Sequence, residues 1–472
     1  MTPMRIVLTA VFVGLCDFGF ASEPGAKALT PEQQQCVAKG KRLERAGWVY
    51  VHVEGDAHER GFQHGYLLAK DIATGLKATR TSWEHESGMD WDWLVNRATA
   101  LFVPKIDPEN LAELDGIAEG ARASGFNTSR AELIAYNGIL ELQGYWWPTE
   151  LKKIKDQPVG SAARQSCSSF IATGNWTKGG NVVLGHNTMQ DYVGALPRVV
   201  QDIVPAKGHR ILWQTTAGWI HSGTDFFITD AGLVGSETTI GGFQGFDTNA
   251  IPEFVRMRRA TQDAGSLDQW CEIMKAGNNG GYANAWLIGD VNSREIARLE
   301  LGLKYVGYEK KRNGYFIGSN VAEDRKLLKL ETERNDVDIR LSSVARRVRW
   351  KQLMKQHEGK IDVELAKQFE ADHFDTYRGR VFPGGRTLCG HFERDPEASG
   401  HDVPFDCSGT VDGKVVDGAM AKRMSFAGRW GSACGMPFVA EKFLTLHPQF
   451  EWMSGLLEDR PGPGWAVFRA GE

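Results

Sequence analysis

Of the seven cysteines in this 472-residue chain, Cys167 has the neighbourhood best suited to nucleophilic chemistry. It stands in Arg164-Gln165-Ser166-Cys167-Ser168-Ser169-Phe170, where a polar stretch gives way to a β-prone run. A short strand, a glycine turn at Lys178-Gly179-Gly180 and a return strand ending in Gly185-His186-Asn187 follow. In a hairpin the end of the second strand comes back beside the start of the first, so His186 and Asn187 are expected near Cys167. A thiolate is a strong nucleophile, and an imidazole and an amide beside it can move a proton and donate to an oxyanion. Spacing alone still favours the blander reading, since an isolated cysteine is more commonly a small buried hydrophobe.

Other chemistries find less support. The chain has no H-E-x-x-H, no P-loop and no G-x-S-x-G elbow. His52, His58 and His64 are evenly spaced but fall across a strand, a loop and a helix, so they do not converge on a metal. Neither a metal nor another cofactor is expected. A formal net charge of -4 gives no basic field for nucleic acid. The fifteen tryptophans, among them Trp91, Trp93, Trp146 and Trp147, could line an acyl groove but are more commonly core.

The elements that must position Cys167 are legible for most of the chain. Residues 57–142 read as helical, with Asp107-Pro108 as a helix start and Ser129 with Glu132 as a capping pair. After residue 167, short runs at 168–173, 181–185, 198–204, 210–215, 225–230 and 233–239 are separated by Gly, Asn, Asp and Lys turns, the pattern of antiparallel strands. Helical segments at 252–263 and 266–276 interrupt, a hairpin at 284–290 and 295–301 resumes, and 342–356 is helical. The last ninety or so residues, rich in Gly, Pro and aromatics, have too weak a periodicity to assign. Blocks of helices and strands in this order argue an α+β fold in one large domain.

Arg5 followed by an apolar run from Ile6 to Leu15, with Gly19 and Ala21 at small-residue positions, predicts a signal peptide over 1–21. The remainder is then expected outside the cytoplasm without stable membrane insertion: secreted or periplasmic, or lysosomal in a eukaryote. An oxidising compartment favours disulfides, and Cys389 with Cys407, closing a short polar loop, is the favoured pair.

Taken in order, several fragments resemble a known family. Cys167-Ser168-Ser169-Phe170, Gly185-His186-Asn187-Thr188, Asp225-Phe226-Phe227, Gly232-Leu233-Val234, Glu237-Thr238-Thr239, Asn284-Ala285-Trp286 and Asp412-Gly413-Lys414-Val415 resemble the phospholipase B-like family of N-terminal-nucleophile hydrolases. Glu59-Arg60-Gly61-Phe62-Gln63-His64-Gly65 is similar to the opening of the related penicillin-acyltransferase-like acylases. The resemblance implies a four-layer αββα sandwich, two antiparallel sheets between helices. It also implies cleavage between Ser166 and Cys167, which divides the chain into a mainly helical 22–166 segment and a catalytic 167–472 segment that stay associated. The freed α-amine, of intrinsic pKa about 8, then serves as base for the thiol. Asn284 is implied as an oxyanion donor and Glu237 as a group orienting the amine, beside His186 and Asn187. The implied substrate is a small lipid, such as a phospholipid acyl ester. A small N-acyl amide is the alternative, and a non-catalytic exported binding protein is the contrasting class.

Overall fold

The computed structural model describes residues 28–155, 167–193, 198–223, 226–333, 335–399 and 403–472. The expected leader, Ser166 and Asp225 lie outside the described residues. The strand runs after Cys167 assemble into two sheets. A nine-stranded sheet runs, in spatial order, Lys41–Arg45, Trp48–Gly55, Val199–Pro205, Ile211–Thr215, Phe226–Thr229, Leu233–Thr239, Asn284–Asp290, Glu295–Leu301 and Val306–Lys311. A six-stranded sheet runs Gly314–Gly318, Ser168–Gly174, Gly180–Asp191, Ser408–Asp417, Ser425–Trp430 and Ala466–Arg469.

Period-two alternation decides what each sheet face meets. In the larger sheet Tyr50, Val200, Leu212, Ile228 and Leu287 join a core with the smaller sheet, while Val49, Val51, Trp213, Trp286 and Ile288 pack against helices. Those helices include Ala57–Leu67, Pro108–Ala123, Arg130–Asn137 and Glu253–Asp263. The sheets touch closely at Gly289, where a Cβ would sit 2.9 Å from Val182 and 3.0 Å from Ile171. On the far side of the smaller sheet, Phe170 packs on Trp350 and Phe369 at ring distances of 5.2 and 5.8 Å. Trp350 and Phe369 belong to helices Ser342–Gln356 and Val363–Glu370, which complete a four-layer αββα sandwich.

The mainly helical segment before Cys167 also gives two strands to the larger sheet, and Trp48–Gly55 pairs in parallel with Val199–Pro205. Parallel neighbours need a long crossover, and the intervening helices supply one. The expected Cys389–Cys407 disulfide is absent: neither Cys389 nor Cys407 is in a disulfide. Cys407 is buried with Tyr192, Val193 and Phe438, whereas Cys389 faces His391. The loop between them leads its two ends into different surroundings.

The four named tryptophans are packed rather than exposed, in a cluster with ring distances of 5.8 Å for Trp93–Trp146 and Trp93–Trp147. Among the described residues no helix is long and apolar enough to cross a membrane.

Candidate active site

The hairpin forms as expected, with Ser168 opposite Asn187 and Ser169 opposite His186. Gly174, Gly179 and Gly180 turn it with φ of +65°, +79° and +70°, a region glycine enters without a Cβ penalty. Cys167 immediately precedes the first strand and is buried. Its carbonyl accepts a 2.6 Å hydrogen bond from Nη1 of Arg346. Arg346 projects from helix Ser342–Gln356 and is itself wholly buried. Its Nη2 donates to Oδ1 of Asn320 at 2.7 Å and its Nε to Oγ of Ser342 at 3.1 Å. Asn320 in turn donates from Nδ2 to the Thr239 carbonyl at 2.7 Å. A buried guanidinium is tolerated only with such bonds, so the main chain at Cys167 is clamped by a fixed network.

His186 faces the larger sheet. Ser169 Oγ, opposite it, meets Ser236 Oγ at 2.7 Å, and His186 Nε2 donates to the Glu237 carbonyl at 3.0 Å. That bond puts the proton on Nε2 and leaves Nδ1 as an acceptor, buried and without a hydrogen-bond partner among the described residues. Burial, reinforced by the Lys414 ammonium, holds the His186 pKa well below the usual imidazole range. The ring is neutral.

A buried polar floor adjoins it. Lys414, opposite His186 in the sheet register, pairs with Asp412 at 2.6 Å, and both side chains are wholly buried. Lys414 Nζ also donates to Thr188 Oγ1 and Gln214 Oε1, each at 2.6 Å. Gln214 Nε2 completes the ring by donating to Asp412 Oδ2 at 2.9 Å. Each of the three Lys414 protons therefore has an acceptor, the condition for burying an ammonium.

The remaining candidates do not all converge on Cys167. Asn187 points the other way, with Nδ2 donating to the carbonyls of Glu370 and Leu388 at 2.7 and 2.9 Å. Both its N–H groups are spent, so the expectation that it donates to an oxyanion is corrected. Glu237 and Asn284 share the helix-facing side of the larger sheet with Trp286, by the register that sets Glu237 opposite Trp286 and Thr239 opposite Asn284. There Glu237 Oε1 accepts from Tyr282 at 2.8 Å. Asn284 is wholly buried with neither side-chain polar atom bonded among the described residues. His52, His58 and His64 go to separate partners, Asp202, Glu119 and Gln201.

Sequence reasoning missed Arg346, Asn320 and Gln214. Arg346 is one of several basic residues in its helix, and nothing local distinguishes the buried one. Asp412 and Lys414 carried a signal, two charges inside a Val- and Gly-rich β run. Beyond the hairpin, Asp191 and Val193 border a cleft of about 300 Å³ walled by Val403, Phe450, Trp452 and Met453.

Facing sheets between helical layers, with a cysteine heading an inner strand, make up an α+β sandwich of four layers. The Phospholipase B family model matches residues 110–306, so the phospholipase B-like resemblance holds over a stretch that includes Cys167. An uncharacterised protein of Archaeoglobus fulgidus is 23% identical over 270 residues, 53% of this chain and 42% of that protein. The human putative phospholipase B-like 2 is 29% identical over 32% of this chain and 28% of its own length. Phospholipase B-like protein C of Dictyostelium discoideum is 29% identical over 30% of this chain and 27% of its own length. The chain thus matches less than half the length of these relatives. Among solved structures, a conjugated bile acid hydrolase from Clostridium perfringens is similar with a TM-score of 0.31 and 11% identity, over 56% of this chain and 89% of that one.

Proposed function

We propose that the protein is an exported acyl hydrolase that uses the sulfur of Cys167 after the Ser166–Cys167 bond is cut. The observation that carries this reading is the clamp on Cys167: a buried thiol heading an inner strand, its own carbonyl held at 2.6 Å by a buried arginine. In maturation the thiol attacks the Ser166 carbonyl carbon. The acyl group moves from nitrogen to sulfur, and water hydrolyses that thioester to leave a Ser166 carboxylate and a free Cys167 amine. In turnover the neutral amine takes the thiol proton while sulfur adds to the substrate carbonyl. The ammonium returns the proton to the departing alcohol or amine. Water then cleaves the acyl-enzyme thioester.

The Cys167 residue supplies nucleophile and base together, and His186 Nδ1 is the acceptor that orients the amine. Asn320 and Asn284 are the amides to be tested as oxyanion donors, the first bonded into the Arg346 network and the second with its amide unengaged. The family resemblance favours a phospholipid acyl ester as substrate.

Intact-mass analysis of purified protein tests the first step, and a panel of phospholipid and N-acyl-amino-acid substrates tests the second. We expect a fragment starting at Cys167, and loss of both cleavage and hydrolysis in Cys167→Ala. An uncut chain whose hydrolysis survives that substitution would move the nucleophile elsewhere.

A further inference from the structure

Away from Cys167, four side chains with metal-binding atoms converge: His373, Cys389, His391 and Cys434. Their nitrogen and sulfur atoms all lie within 4.8 Å of one another. His391 Nε2 is 3.6 Å from Cys389 Sγ and 3.5 Å from Cys434 Sγ. Tetrahedral zinc with Zn–S of about 2.3 Å and Zn–N of about 2.0–2.1 Å sets neighbouring N and S ligands about 3.5–3.6 Å apart. We propose that these four residues form a structural zinc site of Cys2His2 type.

The surroundings fit a metal better than a lone thiol pair. His391 Nδ1 lies 3.0 Å from Glu393 Oε1, the carboxylate–histidine arrangement that fixes the ring with Nε2 toward a metal. The Met436 backbone N–H donates to Cys434 Sγ at 3.3 Å, a bond that stabilises a thiolate. His373 Nε2 is buried with no hydrogen-bond partner among the described residues, and the His373 and His391 rings stand 5.2 Å apart. Four protein ligands leave no open position, which marks a structural rather than a catalytic site.

The ligands come from three places in the chain. His373 follows helix Val363–Glu370, Cys389 and His391 lie in the next loop, and Cys434 follows strand Ser425–Trp430. A metal there pins that loop to the interior strands Ser408–Asp417 and Ser425–Trp430 of the smaller sheet. The same loop receives Asn187 at the Leu388 carbonyl and pairs His391 with Gly409. The site would therefore brace the outer side of the strand that carries His186.

Elemental analysis of the tag-free full chain, purified without chelator, should find about one zinc per molecule. Cobalt(II) added to zinc-stripped protein should give the visible bands of a tetrahedral thiolate complex. Cys389→Ser and Cys434→Ser should each lose metal, while Cys167→Ala keeps it, which separates this site from the proposed hydrolysis. Wild-type protein that carries no zinc and takes up neither zinc nor cobalt would overturn the proposal. So would a Cys389–Cys434 disulfide found by peptide mapping. Hydrolysis abolished in Cys434→Ser, with no zinc in the wild type, would assign Cys434, His391 and Glu393 to catalysis instead.

Discussion

At the scale of single residues, the decisive groups are those whose environment fixes one protonation state. His186 is neutral because it is buried beside a charged lysine, so it has no proton to lose near neutrality. On the proposed mechanism the titration that governs turnover is that of the Cys167 amine, which must be neutral to act as base. We expect kcat/KM to rise with pH toward a plateau through a limb near pH 8. His186→Gln should lower the rate by about 10²-fold and leave that limb in place. A limb near pH 6.5 that vanishes in this variant would make His186 the base. Cys167→Ala should cost at least about 10⁴-fold, measured on the same substrate. The sequence disclosed Cys167 and His186 because a hairpin brings sequence neighbours together. Arg346 and Asn320 reach the same place through helix docking and a loop, and no spacing rule reports such contacts.

At the scale of elements, the helices Ala57–Leu67 and Pro108–Ala123 show how a motif can mislead about its purpose. Gly61 and Gly65, read above as part of an acylase-like opening, serve here as contact points between backbones. A Cβ at Gly65 would stand 2.0 Å from the Ile117 carbonyl oxygen, and one at Gly120 would stand 2.1 Å from that of Phe62. Alanine at Gly65 would gain up to about 1 kcal/mol of helix propensity, but backbone oxygen cannot swing aside. Overpacking of about 1–3 kcal/mol or more therefore wins. Gly65→Ala should lower Tm, and an unchanged or raised Tm would show that the helices separate without cost. Helix starts at Asp107 and Ser129 were legible because their caps are local: each side chain accepts from the backbone N–H three residues on. The strand Ser408–Asp417 was not, because it is buried along nearly all its length and carries charge on the inside. Its register slips between Thr410 and Asp412 as well, which breaks the alternation.

At the scale of the whole molecule, charges join the segments on either side of residue 166. Glu113 accepts from Arg60 at 2.7 Å, within its own segment, and from Arg258 at 3.0–3.2 Å, across the divide, with all three side chains buried. Glu113→Ala leaves two guanidinium groups without that partner and should cost about 3–5 kcal/mol, read from denaturant unfolding. A loss below 1 kcal/mol would mean that the network is not holding the layers together.

Asp202 makes a second such joint, accepting from Tyr50, Arg210, the Gly471 backbone and His52. Burial alone would raise its pKa, but the bonds from Arg210, His52 and Gly471 hold it well below the usual carboxylate range. Its contribution is present above about pH 4 and is lost as pH falls toward the folded value. The Asp202 bond raises the His52 pKa against the opposing effect of burial, so the His52 contribution is full below about pH 6.5 and is lost as pH rises past its folded value. The Tm gap between wild type and Asp202→Asn should therefore peak between about pH 4 and 6.5 and narrow on both sides. A gap that does not vary with pH would show that neither group is linked to folding.

The parallel pairing of Trp48–Gly55 with Val199–Pro205 has a consequence for the order of events in the life of the chain. That pairing must form while both strands belong to one polymer, when finding the partner is a unimolecular search. If the bond before Cys167 is then cut, unfolding sends the two pieces apart, and recovery becomes a second-order encounter. Maturation would act as a ratchet: the native form endures by a high barrier to leaving it, with no easy return. Uncut Cys167→Ala should regain its fold after dilution from denaturant at any concentration. The processed protein should do so only in proportion to how much of it is present.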